Sequence, residues 1–199
     1  MATAADNPTD GRVQRSERSR EAIVRALLDL VGAGTLRPTA QQVAARADVG
    51  VRTVFRHFSD MDTLFAAMNE RLTDEMRPFF VREAQSGSLD DRAAGLLAAR
   101  FQILERAEPY MRSAALQRAD SSFLQAQHDR NVRDLRTDLR CWLPELDEVE
   151  PAIADGLELA LSFEAWDRLR TEQRLGVRRA RESVARIVTT LVAAMPSRD

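Results

Sequence analysis

The chain has 199 residues and a formal net charge of −2, and all 29 of its basic residues are arginine. With one cysteine and two histidines, it lacks the material for a disulfide framework, a zinc cluster or a Cys-His pair. The N-terminus has no apolar signal-peptide core, and no segment approaches the roughly 18 apolar residues of a membrane span. We therefore expect a cytoplasmic protein without membrane contact.

Signatures of catalysis are also missing. The eight glycines are scattered and form neither a dinucleotide-binding fingerprint nor a phosphate-binding loop. The acidic residues Asp147, Glu148 and Glu150 are typical of a solvated loop. The sequence therefore predicts no enzyme, no catalytic residue, no metal site and no cofactor.

The first predicted elements are an arm and a helix. Residues 1–17 are polar, and we expect them to form a flexible basic arm. Residues 21–33 place apolar side chains at helical spacing, preceded by Ser19 and followed by Gly32 and Gly34. This pattern predicts an amphipathic helix.

Residues 39–58, TAQQVAARADVGVRTVFRHF, predict two very short helices around a turn. Thr39 is a good helix cap, and the turn comprises Asp48 to Gly50, where the glycine would tolerate a positive φ. In the second helix, the spacing of Val54, Phe55 and Phe58 predicts the buried face. The outward side chains are then Arg52, Thr53, Arg56 and His57. Because such short helices are unstable alone, the helix at 21–33 must complete a three-helix unit.

The positive charge of the chain is concentrated on this unit. From Arg12 to Phe58 there are nine arginines against four acidic residues. Because the release of counter-ions from phosphates drives much of nucleic-acid binding, this local excess favours a DNA contact despite the acidic whole.

From about Arg18 to Leu72, the sequence resembles the tetracycline-repressor (TetR) family of bacterial helix-turn-helix regulators. The resemblance rests on a capping threonine, an apolar pair followed by alanine, a three-residue turn, and then Thr, an apolar residue, an aromatic and His-Phe. These are Thr39, Val43, Ala44, Ala47, Asp48–Gly50, Thr53, Val54, Phe55, His57 and Phe58. The resemblance implies a DNA-binding domain followed by a larger helical domain.

The resemblance also implies which residues contact DNA. Thr39, Thr53, Phe55 and His57 would hold phosphates, and Val51, Arg52, Thr53 and Arg56 would face the major groove. The complete predicted DNA-binding set is Arg18, Arg20, Thr39, Gln41, Gly50, Val51, Arg52, Thr53, Phe55, Arg56, His57 and Met61. Phe55 and Met61 depart from the tyrosine and lysine that the family often has there, and each change removes a phosphate donor. The arginines at 12, 15, 18 and 20 could replace that anchoring.

Some of these roles have a structural alternative. Arg52 could bond the O6 and N7 atoms of a guanine, or only a phosphate, and we weigh the two equally. For Phe55, core packing beside Val54 and Phe58 is favoured over a DNA contact. For His57, an exposed cap near the helix end and a phosphate contact are both plausible roles, and neither is favoured.

The rest of the chain predicts helices only. Asp60 can cap a bridging helix whose apolar residues are Leu64, Phe65, Met68, Leu72 and Met76, and Pro78 ends it. Further helices are predicted at 90–107, 109–119, 122–140, 151–172 and 177–195. The predicted fold is all-α: a DNA-binding domain over 18–64, with its motif at 39–58, and a helical effector-binding and dimerisation domain over 65–199.

The last two helices predict a homodimer, because their apolar residues exceed one face. As in TetR relatives, these helices would pack against their copies in a two-fold four-helix interface. The residues predicted there are Leu157, Leu161, Ala180, Val184, Ile187, Val188, Leu191 and Val192. The alternative is a monomer that buries them internally.

An effector pocket is expected only from the resemblance. The candidates are Phe79, Phe101, Tyr110, Met111, Phe123, His128, Phe163 and Trp166. For any one of them, filling the core is the favoured role. A small apolar effector of unknown identity would occupy such a pocket.

Three hypotheses follow. The first is a dimeric regulator of transcription, a repressor released from a palindromic DNA operator by its effector. The second is a ligand-independent DNA-binding protein regulated by protein partners. The third is an all-helical carrier or enzyme that retains the DNA-binding domain at 18–64, called the headpiece below, as a scaffold.

Overall fold

The computed structural model describes residues 8–195, with side chains from residue 13. Within this range the chain forms helices and connecting turns, without β-strands. The α-helices are α1 (Pro8–Gly32), α2 (Ala40–Arg46), α3 (Val51–His57), α4 (Met61–Met76), α5 (Leu89–Gln117), α6 (Ser122–Trp142), α7 (Pro151–Ala160), α8 (Phe163–Asp167) and α9 (Val177–Val192). Short 3-10 turns occupy Arg77–Phe79, Arg118–Asp120 and Pro144–Asp147, and a π turn at Arg168–Glu172 extends α8.

The first four helices surround one apolar core. Its buried members include Ile23 and Leu27 of α1, Val43 of α2, Val54 of α3 and Leu64 of α4. The helix predicted at 21–33, which was expected to support the two short ones, indeed packs against both. Since α2 and α3 have seven residues each, this shared burial stabilises them.

Helices α5 to α9 surround a second core. Trp166 of α8 is fully buried at its centre, 6.1 Å from the ring of Phe101 in α5. Helix α9 contributes its regular stripe to the same core, and its main helical partners are α7 and α5. The larger group of helices therefore encloses most of the apolar side chains of the second half.

Polar contacts tie the two cores together at the end of α5. The backbone carbonyl of Leu36, between α1 and α2, accepts hydrogen bonds from Ser113 Oγ at 2.8 Å and Gln117 Nε2 at 3.1 Å. Beside it, Arg37 Nη2 donates to the carbonyl of Leu116 at 2.6 Å. The connection that positions α2 is thus held directly by α5.

Helices α4 and α6 make a second link. Ser121 Oγ donates to Asp62 Oδ1 in the first turn of α4, with a separation of 2.7 Å. Leu124 of α6 is buried in the first core, so α6 begins against the headpiece and ends in the second core. No helix in residues 8–195 is long and apolar enough to cross a membrane.

The helix boundaries correct the sequence predictions in three places. The arm predicted at 1–17 is helical from Pro8 onward, as part of α1, while residues 1–7 lie outside the described range. Pro109 does not break the chain but lies inside α5, because buried residues on both sides of it hold the helix against its neighbours. The helix predicted at 151–172 is interrupted at Leu161 and restarts where Ser162 Oγ accepts a bond from the Ala165 N–H at 3.1 Å.

Candidate nucleic-acid interface

The start of α2 is fixed by a reciprocal cap. Thr39 Oγ1 accepts a hydrogen bond from the Gln42 N–H at 3.3 Å, and Gln42 Oε1 accepts one from the Thr39 N–H at 2.8 Å. The cap predicted at Thr39 is confirmed, and Gln42 completes it. Thr39 and Gln41 remain exposed beside this cap.

The turn between α2 and α3 differs from the prediction. The left-handed residue is Asp48, with φ of 53°, and not Gly50, whose φ is −71°. Asp tolerates this conformation better than most side chains. Gly50 caps α3, and no atom of the described residues lies within 4 Å of where its Cβ would be. The turn therefore does not require a glycine at this position.

Helix α3 presents a mixed cationic and apolar surface. Val54 and Phe58 are buried one turn apart, which fixes the orientation of the helix. Arg52 and Arg56 are exposed, as predicted, and Thr53 is half-buried. The exposed surface of α3, formed by Val51, Arg52, Phe55 and Arg56, is called the reading face below.

The position of Phe55 contradicts the packing role favoured from the sequence. Its side chain is 49% exposed, whereas Phe58 is 2% exposed. Phe55 follows Val54 by one residue and is therefore rotated about 100° away from the buried line. A large apolar side chain is thus available on the reading face.

Two arginines surround the half-buried His57. Burial, followed by the positive charges of Arg56 and Arg20, lowers the pKa of His57. Its Nε2 is buried and has no hydrogen-bond partner in the described part of the chain. The lowered pKa favours the neutral form of the His57 ring in the DNA-free protein.

The remaining members of the predicted set flank this face. Arg20 of α1 lies over the ring of Phe58, 5.1 Å from its centroid, and Arg18 is exposed nearby in sequence. Met61 begins α4 and packs partly against the first core. Its thioether has no N–H group to donate to a phosphate. The cap predicted at Asp60 is confirmed: Oδ1 accepts a bond from the Thr63 N–H at 2.8 Å, and this bond is the main cause of the lowered pKa of Asp60.

The residues predicted for an effector pocket fall into separate places. Met111, His128 and Phe163 line one cleft with a volume of about 70 Å³. Phe101 and Trp166 are buried in the second core, Tyr110 and Phe123 pack against the first, and the ring of Phe79 lies under Arg106. Aromatic composition could not separate these positions, because core and pocket residues share the same chemistry.

Arg100 is a residue of this cleft that the sequence reading missed. Its spacing contained a signal, because it lies four residues from both Leu96 and Leu104 in the buried stripe of α5. A charged residue at such a position needs partners inside the protein.

Most residues predicted for the dimer interface are buried within the chain itself. Leu157, Leu161, Ala180, Val184, Val188 and Val192 belong to the second core. Leu191 is half-buried against Gly156 of α7, and only Ile187 is exposed. The stripe of α9 was misassigned because a helix packed in its own core and one packed on a partner share the same periodicity.

Two exposed apolar side chains remain near the junction of α7 and α9. Leu159 of α7 is 66% exposed and Ile187 of α9 is 48% exposed. Each lies about one turn from the contact between Gly156 and Leu191. We call Leu159 and Ile187 the α7–α9 patch.

A short two-helix motif with an exposed cationic second helix, carried by a larger helical body, is typical of helix-turn-helix DNA-binding proteins. Residues 19–68 match the sequence model of the bacterial regulatory proteins of the tetR family. Over these residues, the chain is similar to the TetR family of transcriptional regulators.

Solved structures extend the likeness over nearly the whole fold. A transcriptional regulator from Rhodococcus sp. Rha1 is 22% identical, with a TM-score of 0.66, over 92% of this chain and 99% of its own. A TetR transcriptional regulator from Rhodococcus sp. RHA1 is 20% identical, with a TM-score of 0.53 over the same shares of the two chains. At these identities the likeness concerns the fold alone. A search of curated protein sequences gave no match.

Proposed function

We propose that the protein is a homodimeric repressor that binds a palindromic DNA operator through α3 and leaves it when a small molecule binds among α5 to α8. The reading face carries this proposal. It combines the exposed cations Arg52 and Arg56 with the exposed ring of Phe55, on a helix whose orientation is fixed by buried residues.

Each residue of the reading face suits a different contact with DNA. The planar fork of Arg52 can bond a guanine through two N–H groups, and Arg56 can neutralise a phosphate. The ring of Phe55 can pack on a thymine methyl group or on sugars. A tyrosine hydroxyl would not strengthen such an apolar contact. Arg18 and Arg20 on α1 would add phosphate contacts that raise affinity for any sequence.

The contacts at the end of α5 support a route from the effector to DNA. Leu36 and Arg37, just before α2, are bonded to Ser113, Leu116 and Gln117 of α5. A shift of α5 would therefore displace α2 and, with it, α3. Since a dimer must fit two half-sites at once, a small change in the distance between the headpieces would lower affinity for the operator.

The α7–α9 patch supports the choice of a second copy as the partner. Isolated exposed apolar residues are common, but these two flank one helix junction. The same surface on two copies is self-complementary about a two-fold axis. Such an axis would match the symmetry of a palindromic operator.

Transcription in vitro tests the direction of regulation. The template carries a promoter that overlaps a DNA site bound by the protein, and a second template carries a scrambled site. We expect the protein to lower transcript yield from the first template only. An increase in transcript would contradict repression, and equal yields from both templates would contradict sequence-specific regulation.

A further inference from the structure

The cleft of about 70 Å³ lies among α5, α6 and the α7–α8 junction. Its apolar wall includes Met111, Leu139 and Phe163. Its polar lining includes Arg100, His128 and Asn131. The combination of an apolar wall with a few polar groups is typical of small-molecule sites, and this cleft is smaller than the pockets that hold drug-sized ligands.

The hydrogen-bond donors of Arg100 are incompletely used. Its side chain is only 3% exposed. Nη1 donates to the Leu161 carbonyl at 3.1 Å, whereas Nη2 makes two long contacts of 3.4 Å, to the Leu135 carbonyl and to Asp138 Oδ2. Nε is buried without a hydrogen-bond acceptor among the residues that the structure describes. A guanidinium has five N–H donors, and leaving one buried and unbonded is costly.

Asp138 does not provide the missing hydrogen-bond acceptor for Nε of Arg100. Its Oδ1 accepts a bond from the Val81 N–H at 2.8 Å, which holds the carboxylate toward the segment after α4. Its other oxygen reaches only Nη2 of Arg100. At 3.4 Å, its contact with the guanidinium is long for a charge-assisted hydrogen bond, and burial raises the pKa of Asp138 despite the nearby arginine. The edge of the guanidinium formed by Nε and Nη2 therefore lacks a two-oxygen partner.

The other charged side chains of the cleft are paired with each other or exposed to solvent. Arg136 binds Glu158 through Nε at 2.7 Å and Nη2 at 2.8 Å, so these two charges largely cancel. Glu164 is exposed to solvent. Arg100 is thus the buried cation whose hydrogen bonding an anion would complete.

We propose that this cleft binds a small monocarboxylate, whose two oxygens accept hydrogen bonds from Nε and Nη2 of Arg100 and whose short apolar tail lies against Met111, Leu139 and Phe163. Paired N–H donors on one guanidinium edge match the spacing of carboxylate oxygens. The proposal rests on the proposed function, because it names the chemical class of the effector. It replaces the small apolar effector expected from the sequence with an acid.

Ligand titration of the DNA-free full-length protein tests the site. The probes are propionate and butyrate, with propionamide and butyramide as neutral controls of the same shape, followed by ¹⁵N chemical shifts or calorimetry. We expect the acids to bind in the millimolar range that so few atoms allow, and at least about tenfold more tightly than the amides. No binding of the acids, or equal binding of acids and amides, would mean that water alone satisfies Arg100 and would overturn the proposal.

Two variants and one control locate the binding. Arg100→Lys keeps the charge but loses the paired N–H donors of the guanidinium edge, and we expect it to weaken butyrate binding about tenfold. Val132→Phe narrows the cleft from its exposed edge without touching Arg100, so it remains informative if the first variant fails to fold. Arg92→Lys alters another buried arginine, outside the cleft, and should leave butyrate binding unchanged. Unchanged butyrate binding in both cleft variants would overturn the proposal.

The test separates this proposal from the proposed function. A protein that selects a DNA palindrome but binds no acid would overturn the carboxylate site and leave the DNA-binding function intact. If the protein binds butyrate through Arg100 and its affinity for DNA does not change, the carboxylate site is supported and release by an effector is contradicted.

Discussion

At the scale of single residues, the reading face is defined by the difference between neighbours in α3. Val54 and Phe58 are held in the first core, whereas Arg52, Phe55 and Arg56 are directed outward by the same helical geometry. Stability and DNA affinity should therefore respond to different positions of this short helix. Two substitutions test that separation.

Arg52→Ala should lower affinity for a bound DNA site by about 1–3 kcal/mol and relax the preference at one base pair, if the guanidinium reads a guanine. The free energy of unfolding should not change, because Arg52 is exposed. Arg179→Ala on α9 removes the same charge from an exposed position outside the headpiece and serves as the control. Weaker binding without any change in base preference would assign Arg52 to a phosphate.

Phe55→Ala and Phe58→Ala should have opposite profiles. The first removes an exposed ring, so we expect DNA affinity to fall about fivefold, the effect of losing about 1 kcal/mol of apolar contact, with little change in stability. The second empties a buried site and should cost about 3–5 kcal/mol in urea unfolding. A large loss of stability in Phe55→Ala would contradict its place on the reading face.

At the scale of helices, local sequence signals predicted the boundaries where local chemistry decides them. The caps at Thr39 and Asp60 are confirmed because each relies on a partner three residues away. The break expected at Pro109 is wrong because packing on both sides of α5 outweighs the local cost of proline.

Long-range arrangement could not be predicted in the same way. The pairing of Arg100 with Asp138 joins positions 38 residues apart and depends on how α5 meets α6. The stripe of α9 indicated burial correctly, but a period of 3.6 residues carries no information on whether the burying surface belongs to the same chain. The DNA motif was readable because its spacing is short and its chemistry local.

Two helical glycines give a test of packing at this scale. A Cβ on Gly95 of α5 would lie 2.5 Å from the Trp142 ring, whereas one on Gly156 of α7 would meet only the end of Leu191 at 3.2 Å. Gly95→Ala should therefore cost about 1–3 kcal/mol through overpacking. Gly156→Ala should gain up to about 1 kcal/mol from helix propensity, because the leucine side chain can yield. Equal effects of the two in thermal unfolding would contradict this account of the α5–α6 contact.

At the scale of the whole molecule, the two cores are linked through the end of α5 and the start of α6. In the proposed function, these links offer a route from an effector to DNA, and a palindromic operator requires two DNA-binding domains at a fixed distance. The oligomeric state is therefore part of the proposed function.

Leu159→Glu and Ile187→Glu test the dimer. Each introduces a charge into the α7–α9 patch while leaving the cores intact, because both side chains are exposed. Sedimentation should show twice the chain mass of 22.4 kDa for the unmodified protein and the single chain mass for the variants. Val132→Glu, at an exposed position of α6, should remain dimeric. Dimers that persist in both patch variants would place the interface elsewhere.

The most direct test of the central claim, that α3 reads a palindromic DNA site, is selection from random DNA duplexes by the full-length protein at physiological salt. We predict enrichment of one motif with two inverted half-sites, spaced by about one helical turn or a multiple of it. Duplexes bound without any enriched sequence, or a single half-site without its inverted copy, would contradict the account.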